Sequence, residues 1–307
     1  MQHVTDAMID ALVDPAEAQA ALADAFRAFG RGEAAVQPRE RTEAGGVKLS
    51  TLGAVIPGQG VAGAKVYTTI GGRFSFVILL FSAETGAPLA SFDAAAITRL
   101  RTAACSVLAA RALARPDASV LAVLGLGVQG QAHARQFARA FRLQRICVHS
   151  PHAGDDQLQA LQAGCGVPVQ ACGTAADAVA QADLVVTATR ARAPLFDGTL
   201  LRPGTFVAAV GSSLPTTREL DDRALARARV VAVEWRVQTL REAGDLVLAD
   251  PAVLPPAKVV ELSELLLGRV PGRRADDDVT IYKSVGVGLQ DVALAGLAWR
   301  KLQGASA

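Results

Sequence analysis

The stretch VLGLGVQGQAHARQFARAF, residues 123–141, constrains this chain more than any other. A strongly apolar run stops at a cluster of glycines, and a helical pattern begins at once. The text GLGVQG fits G-x-G-x-x-G, a weak pattern alone, but here a buried strand precedes it and a helix follows it, as a dinucleotide-binding turn requires. Gly125 permits the tight turn, Gly127 lets the backbone approach a pyrophosphate, and Gly130 lets helix and strand pack closely. Val128 and Gln129 open the helix, whose free N–H groups and positive dipole end suit phosphates. The bland alternative is a glycine-rich turn that binds nothing.

The pattern around this turn supports the first alternative. From residue 116 onward, VLAVLG, RICVHS, VPVQA, DLVVTAT, TFVAAVG and RVVAVE read as strands, with helical segments between most of them. Alternating strands and helices predict a Rossmann-type, doubly wound parallel sheet in an α/β protein. The second strand, RICVHS, ends at Ser150 with no carboxylate to hold a ribose 2′-hydroxyl. That favours NADP(H) and leaves NAD(H) possible. Thr187 and Thr189 close DLVVTAT at the carboxyl edge, where ligands bind in such sheets.

The N-terminal part is organised differently. Asp14-Pro15-Ala16-Glu17 has the form of a capping box with proline in the first helical turn, and the helix runs on to Gly30. A polar, turn-rich stretch with Arg39 and Arg41 follows. Residues 47–93 then read as successive strands of an antiparallel sheet, and 95–114 as a long helix. The tail from 281 to 303 reads as a long helix returning to this part. The domains are therefore 1–115 with 285–307, formed from both chain ends, and 116–284 for the dinucleotide.

Composition excludes several classes. The chain has 307 residues, a formal net charge of +2 and no Lys/Arg block, so no nucleic-acid footprint is visible. No apolar run reaches membrane-spanning length, and the N-terminus lacks the basic and apolar regions of a signal peptide, which predicts a cytoplasmic protein with no membrane partner. Four cysteines and four histidines show no metal spacing, so no metal is expected. With aromatic residues at 5%, there is little hint of a bulky-ligand pocket.

ITRLRTAACSVLAARALARPDASVLAVLGLGVQGQAH, with the later ADLVVTAT, VAAVGSSLPTTRELD and YKSVGVGLQD, resembles the ornithine cyclodeaminase/mu-crystallin family over nearly the whole chain. The resemblance implies a Rossmann domain plus an α/β dimerisation and substrate domain, hence a homodimer acting on a small amino or imino acid. The apolar strands 61–81, too extensive for a monomer surface, agree with a dimer. Arg101 in RTAA matches the family arginine for the substrate carboxylate, a task suited to a bidentate guanidinium. Lys65 in GAKVYTT matches the active-site lysine; burial would tune its pKa. A further family arginine follows a proline, and Pro38-Arg39-Glu40-Arg41-Thr42 offers two candidates, of which Arg41 is preferred.

One departure bears on the reaction. Ornithine cyclodeaminases carry an aspartate after the strand that TFVAAVG matches, and this chain reads Gly211-Ser212-Ser213 there. Ser213 cannot act as a general base near neutral pH without a partner. Relatives with serine here are similar to ketimine reductases. The resemblance thus implies an NAD(P)-dependent oxidoreductase reducing the C=N bond of a cyclic imino acid, such as pyrroline-2-carboxylate or piperideine-2-carboxylate. The alternatives are an ornithine cyclodeaminase, an alanine dehydrogenase-type enzyme, or a non-catalytic NADPH-binding crystallin-like protein. Gly211, Ser284 and Gly286 are expected at the nicotinamide end. Lys283 reads as a ligand or a surface charge, and Asp291 as a structural helix–loop contact.

Overall fold

In the computed structural model, which describes residues 1–305, the chain divides into two units. One is Met1–Ala104 with Gly286–Ala307, and the other is Cys105–Val285. Among the described residues no helix is long and apolar enough to cross a membrane.

The first unit is built on a seven-stranded sheet. Its path runs Gln2–Val4, Pro88–Asp93, Arg73–Ser82, Val61–Ile70, Val47–Ile56 and Ala35–Val36, with Glu40–Ala44 also paired to Val47–Ile56. The strands from Val47 to Asp93 pair antiparallel, as their pattern predicts. Gln2–Val4 adds a parallel edge strand beside Pro88–Asp93, and the stretch read as polar and turn-rich includes a strand, Glu40–Ala44, in a hairpin with Val47–Ile56. The helix Pro15–Gly30 starts in the capping box read from Asp14 and Glu17.

Side chains alternate between the two faces of this sheet. On one face lie Leu52, Lys65 and Ile78 in a cross-strand row, with the helix Gly288–Ala305 packed over these strands. Gly288 makes that packing possible: a Cβ there would meet the Gly53 backbone at 2.4–2.6 Å. On the other face Val47, Leu49, Val55, Ile70 and Phe81 are exposed.

The second unit is an eight-stranded, wholly parallel sheet with helices in its crossovers, which bears out the doubly wound α/β class. Its strand order is Val169–Ala171, Arg145–His149, Val120–Leu124, Leu184–Thr187, Phe206–Ala209, Val279–Lys283, Ala228–Val233, Val259–Glu261. Val279–Lys283 is a correction to the expected long C-terminal helix. Tyr282 and Lys283 lie in a central strand, paired on both sides, and the helix begins only at Gly288.

Candidate active site and cofactor cradle

In the first unit, residues from one strand and two helices meet at Lys65. The lysine stands on the central strand Val61–Ile70 and is 3% exposed. Its Nζ lies 2.8 Å from Asp291 Oδ1, in the first turn of Gly288–Ala305, and 3.4 Å from Thr98 Oγ1 on the helix Ala95–Leu113. Arg101, one turn beyond Thr98, is also buried. Its Nη1 donates to Gln290 Oε1 at 2.8 Å, and its Nε is 3.6 Å from Asp291 Oδ1. Arg39 donates to the Gly286 carbonyl at 2.8 Å.

Gly286 is a mechanical requirement of this arrangement. Its φ is +77°, and a Cβ there would lie 2.7 Å from the guanidinium of Arg101. Only glycine takes that backbone without strain while the guanidinium lies against it. The structure sets Gly286 against Arg39 and Arg101, two residues beyond Ser284. Arg41, the preferred loop arginine, stands on Glu40–Ala44 opposite Ser50, and Arg39 reaches the Gly286 carbonyl.

Two cationic side chains, Lys65 and Arg101, thus meet one carboxylate, Asp291, which is fully buried. Burial pushes the Lys65 ammonium down to about 8, Asp291 opposes the shift, and the charges of Arg101 and Arg39 assist it. A lysine so placed exchanges its proton near neutral pH, and excess positive charge away from water favours an anionic ligand. Asp291 is more than the structural contact expected of it. It is bonded directly to the lysine, 226 positions away in sequence. Among the described residues its Oδ2 has no hydrogen-bond partner.

The glycine turn of the second unit has the shape its spacing implies. Gly125 has φ of +93°, and a Cβ there would meet the Ala188 carbonyl at 2.7 Å. A Cβ on Gly130 would lie 1.9 Å from the Gly125 carbonyl, so helix and strand pack closely only through glycine. At Gly127 nothing lies within 4 Å of a Cβ position. Gly127 is also the N-cap of Val128–Ala140, and no side chain caps it. An open space before free N–H groups is the cradle that a pyrophosphate fits. Val128 is exposed at its rim and Gln129 follows. The adjacent strand Arg145–His149 leads into Ser150, where no carboxylate stands.

Thr187, Thr189 and Gly211 are drawn together by a residue that the sequence did not single out. Glu219 is fully buried and accepts from Thr187 Oγ1 (2.7 Å), Thr189 N (2.7 Å), Thr189 Oγ1 (2.7 Å) and Gly211 N (2.8 Å). It ties together the carboxyl ends of Leu184–Thr187 and Phe206–Ala209. The one signal for it was RELD, an acid just after the serine segment. Ser213 is half-buried in that segment, and the neighbouring Ser212 hydroxyl bonds to Thr217. Lys283 is not a surface charge. It is fully buried, 2.8 Å from Asp245 Oδ2 and donating to the Ser212 carbonyl at 2.7 Å. Ser284 donates its hydroxyl to Glu234 at 2.5 Å.

Comparison with known proteins places these sites in context. The model of the ornithine cyclodeaminase/mu-crystallin family matches residues 1–305. A solved structure from Bordetella pertussis Tohama I, described as a probable ornithine cyclodeaminase, is 63% identical with a TM-score of 0.98, covering 99% of this chain and 98% of that one. The delta(1)-pyrroline-2-carboxylate reductase of Bacillus cereus (strain ZK / E33L) is 32% identical over 266 residues, 85% of this chain and 78% of the relative. The delta(1)-pyrroline-2-carboxylate reductase of Thermococcus litoralis, solved with NADH and L-proline, is 25% identical with a TM-score of 0.94, covering 100% of this chain and 98% of that one.

Proposed function

The chain belongs to the ornithine cyclodeaminase/mu-crystallin family, and from that membership we propose that it is an NAD(P)H-dependent reductase of a small cyclic imino acid, pyrroline-2-carboxylate or piperideine-2-carboxylate. The observation that carries this is the buried pairing of Lys65 and Arg101 with Asp291, with the charge of half-buried Arg39 acting on Lys65. Arg101, held by Gln290, and Arg39 bind the substrate carboxylate. Lys65, held by Asp291, keeps a proton on the imine nitrogen, directly or through a bonded water, so that the carbon stays electrophilic. The cradle at Gly125, Gly127 and Gly130 fits a nicotinamide dinucleotide, which when bound supplies the hydride. Thr189 and Gly211, fixed by Glu219, and Ser213 line its nicotinamide end, and the missing acid at Ser150 favours NADP(H). The fourfold test is oxidation of NADPH and of NADH by purified protein with each of the two imino acids. Turnover, faster with NADPH, is the expected result. No turnover with either cofactor would refute the assignment.

Ornithine cyclodeamination is the second possibility, and the 63% identity to the Bordetella pertussis protein favours it. Ser213 weighs against it, because a hydroxyl without a partner is no general base near pH 7. Ammonia release from ornithine in the presence of NAD⁺ is expected to stay at background, and a rate matching the imine reduction would reverse the assignment.

The functional form is a homodimer closed by the outer face of the first unit's sheet. Val47, Leu49, Val55, Ile70 and Phe81 expose a continuous apolar surface there, of the kind that soluble proteins cover. Light scattering is expected to give twice the chain mass for the natural protein and a monomer for Leu49→Asp/Val55→Asp. A natural monomer would contradict this.

A further inference from the structure

The face that carries Lys65 does not end with it. Cross-strand pairing puts Arg41, Ser50, Tyr67 and Phe76 in the next row of the same face, and Thr69 with Phe74 in the row beyond. Three of these are aromatic and touch one another. Tyr67 and Phe76 have ring centroids 5.1 Å apart, and Phe74 and Phe76 are stacked at 5.6 Å with planes 6° apart. Lys65 Nζ sits 5.5 Å from the Phe76 centroid. Exposure rises along the series: Lys65 is buried, Tyr67 and Phe76 are half-buried, and Phe74 is 51% exposed. Beneath Tyr67, the Ser50 hydroxyl is buried and has no hydrogen-bond partner among the described residues.

We propose that Tyr67, Phe74 and Phe76 form a substrate side-chain subsite, and that the enzyme takes α-imino acids bearing a planar aryl group. The proposal rests on the reductase assignment and extends its substrate range from cyclic imino acids to aryl-bearing ones. Each row advances about 7 Å along the strand, so a proline-sized ring bound at Lys65 reaches Phe76 and leaves Phe74 uncovered. An aryl substituent on the imine carbon's side chain continues along the wall and meets offset-stacked rings, the geometry that aromatic groups favour. The scarcity of aromatic residues in the whole chain hides this, because three of them are concentrated on one patch beside the lysine.

The test compares two substrates on the full chain with NADPH: pyrroline-2-carboxylate, and the ketimine formed from phenylpyruvate and methylamine. The aryl ketimine is expected to be reduced with the higher kcat/KM. In Phe74→Ala the ratio of the two kcat/KM values is expected to fall about three- to tenfold, chiefly through KM for the aryl substrate. Calorimetry with saturating NADP⁺ is expected to show N-methylphenylalanine binding more tightly than proline, with the preference reduced in the same variant. Reduction of pyrroline-2-carboxylate alone, or a ratio unmoved by both Phe74→Ala and Phe76→Leu, would overturn the subsite and leave the reductase assignment standing. Failure to turn over or bind any of these compounds would instead overturn the reductase assignment and the subsite with it. Conversion of Phe74→Ala to a monomer in light scattering would show that a second copy covers the patch, which also overturns the subsite.

Discussion

Lys65→Met is expected to lower kcat for imine reduction by about 10²- to 10⁴-fold, the range for losing a positioned proton donor. Cofactor affinity should stay close to that of the natural protein, because the glycine cradle belongs to the other unit of the chain. The pH dependence carries the more specific signature. With its pKa pushed down to about 8, Lys65 loses its proton within the working range. Reduction needs the protonated form, so kcat/KM should fall as pH rises through about 8. The reverse oxidation of the cyclic amino acid needs the neutral amine, so its rate should rise over the same interval. Lys65→Met should abolish both inflections. Opposite inflections in the two directions, read from initial rates between pH 6 and pH 10, are what the assignment requires (the pH limits are set about two units either side of that pKa). Inflections that survive in Lys65→Met would assign the titration to another group.

This pKa arises from burial, which is a property the sequence only half discloses. Lys65 was visible as a lone lysine among apolar strand residues, and Arg101 as part of RTAA. Asp291 was visible too, but an acid in the first turn of a helix reads as a capping residue. Its contact with Lys65 spans 226 positions and depends on Gly288, whose missing side chain lets the helix settle on Gly53. No local pattern encodes that approach. For a related reason, the sequence alone does not decide between Arg39 and Arg41. They are two residues apart and chemically alike, and only the path of the chain into Glu40–Ala44 decides which one reaches Gly286.

The parallel sheet was legible because its strands are short apolar runs punctuated by glycine and by helical spacing. Val279–Lys283 escaped because its run is five residues long, ends in lysine, and merges with a tail that looks helical. Its position is also out of chain order, between Phe206–Ala209 and Ala228–Val233. Buried lysines are rare without partners. Lys283 is tolerated in that strand because Asp245 and the Ser212 carbonyl meet it.

Glu219→Ala is expected to destabilise the second unit by about 3 kcal/mol or more, since it removes a buried acceptor from several donors at once. The backbone N–H groups of Thr189 and Gly211 cannot turn elsewhere, whereas the two threonine hydroxyls can rotate. The cost therefore concentrates on the two amides, and a melting temperature lower by roughly 6–12 °C should register it. Glu219→Gln separates geometry from charge. It keeps one oxygen acceptor but presents an NH₂ group to two of the donors, so most of the loss should remain. If Glu219 also fixes Thr189 and Gly211 for the nicotinamide, both variants will raise the Kd for NADPH beyond what their lowered stability explains at temperatures where they are folded. Melting that falls while the Kd holds would confine Glu219 to joining the two strands. A Glu219→Ala protein as stable as the natural one would show that water satisfies both amides and that the network is not what holds this edge of the sheet.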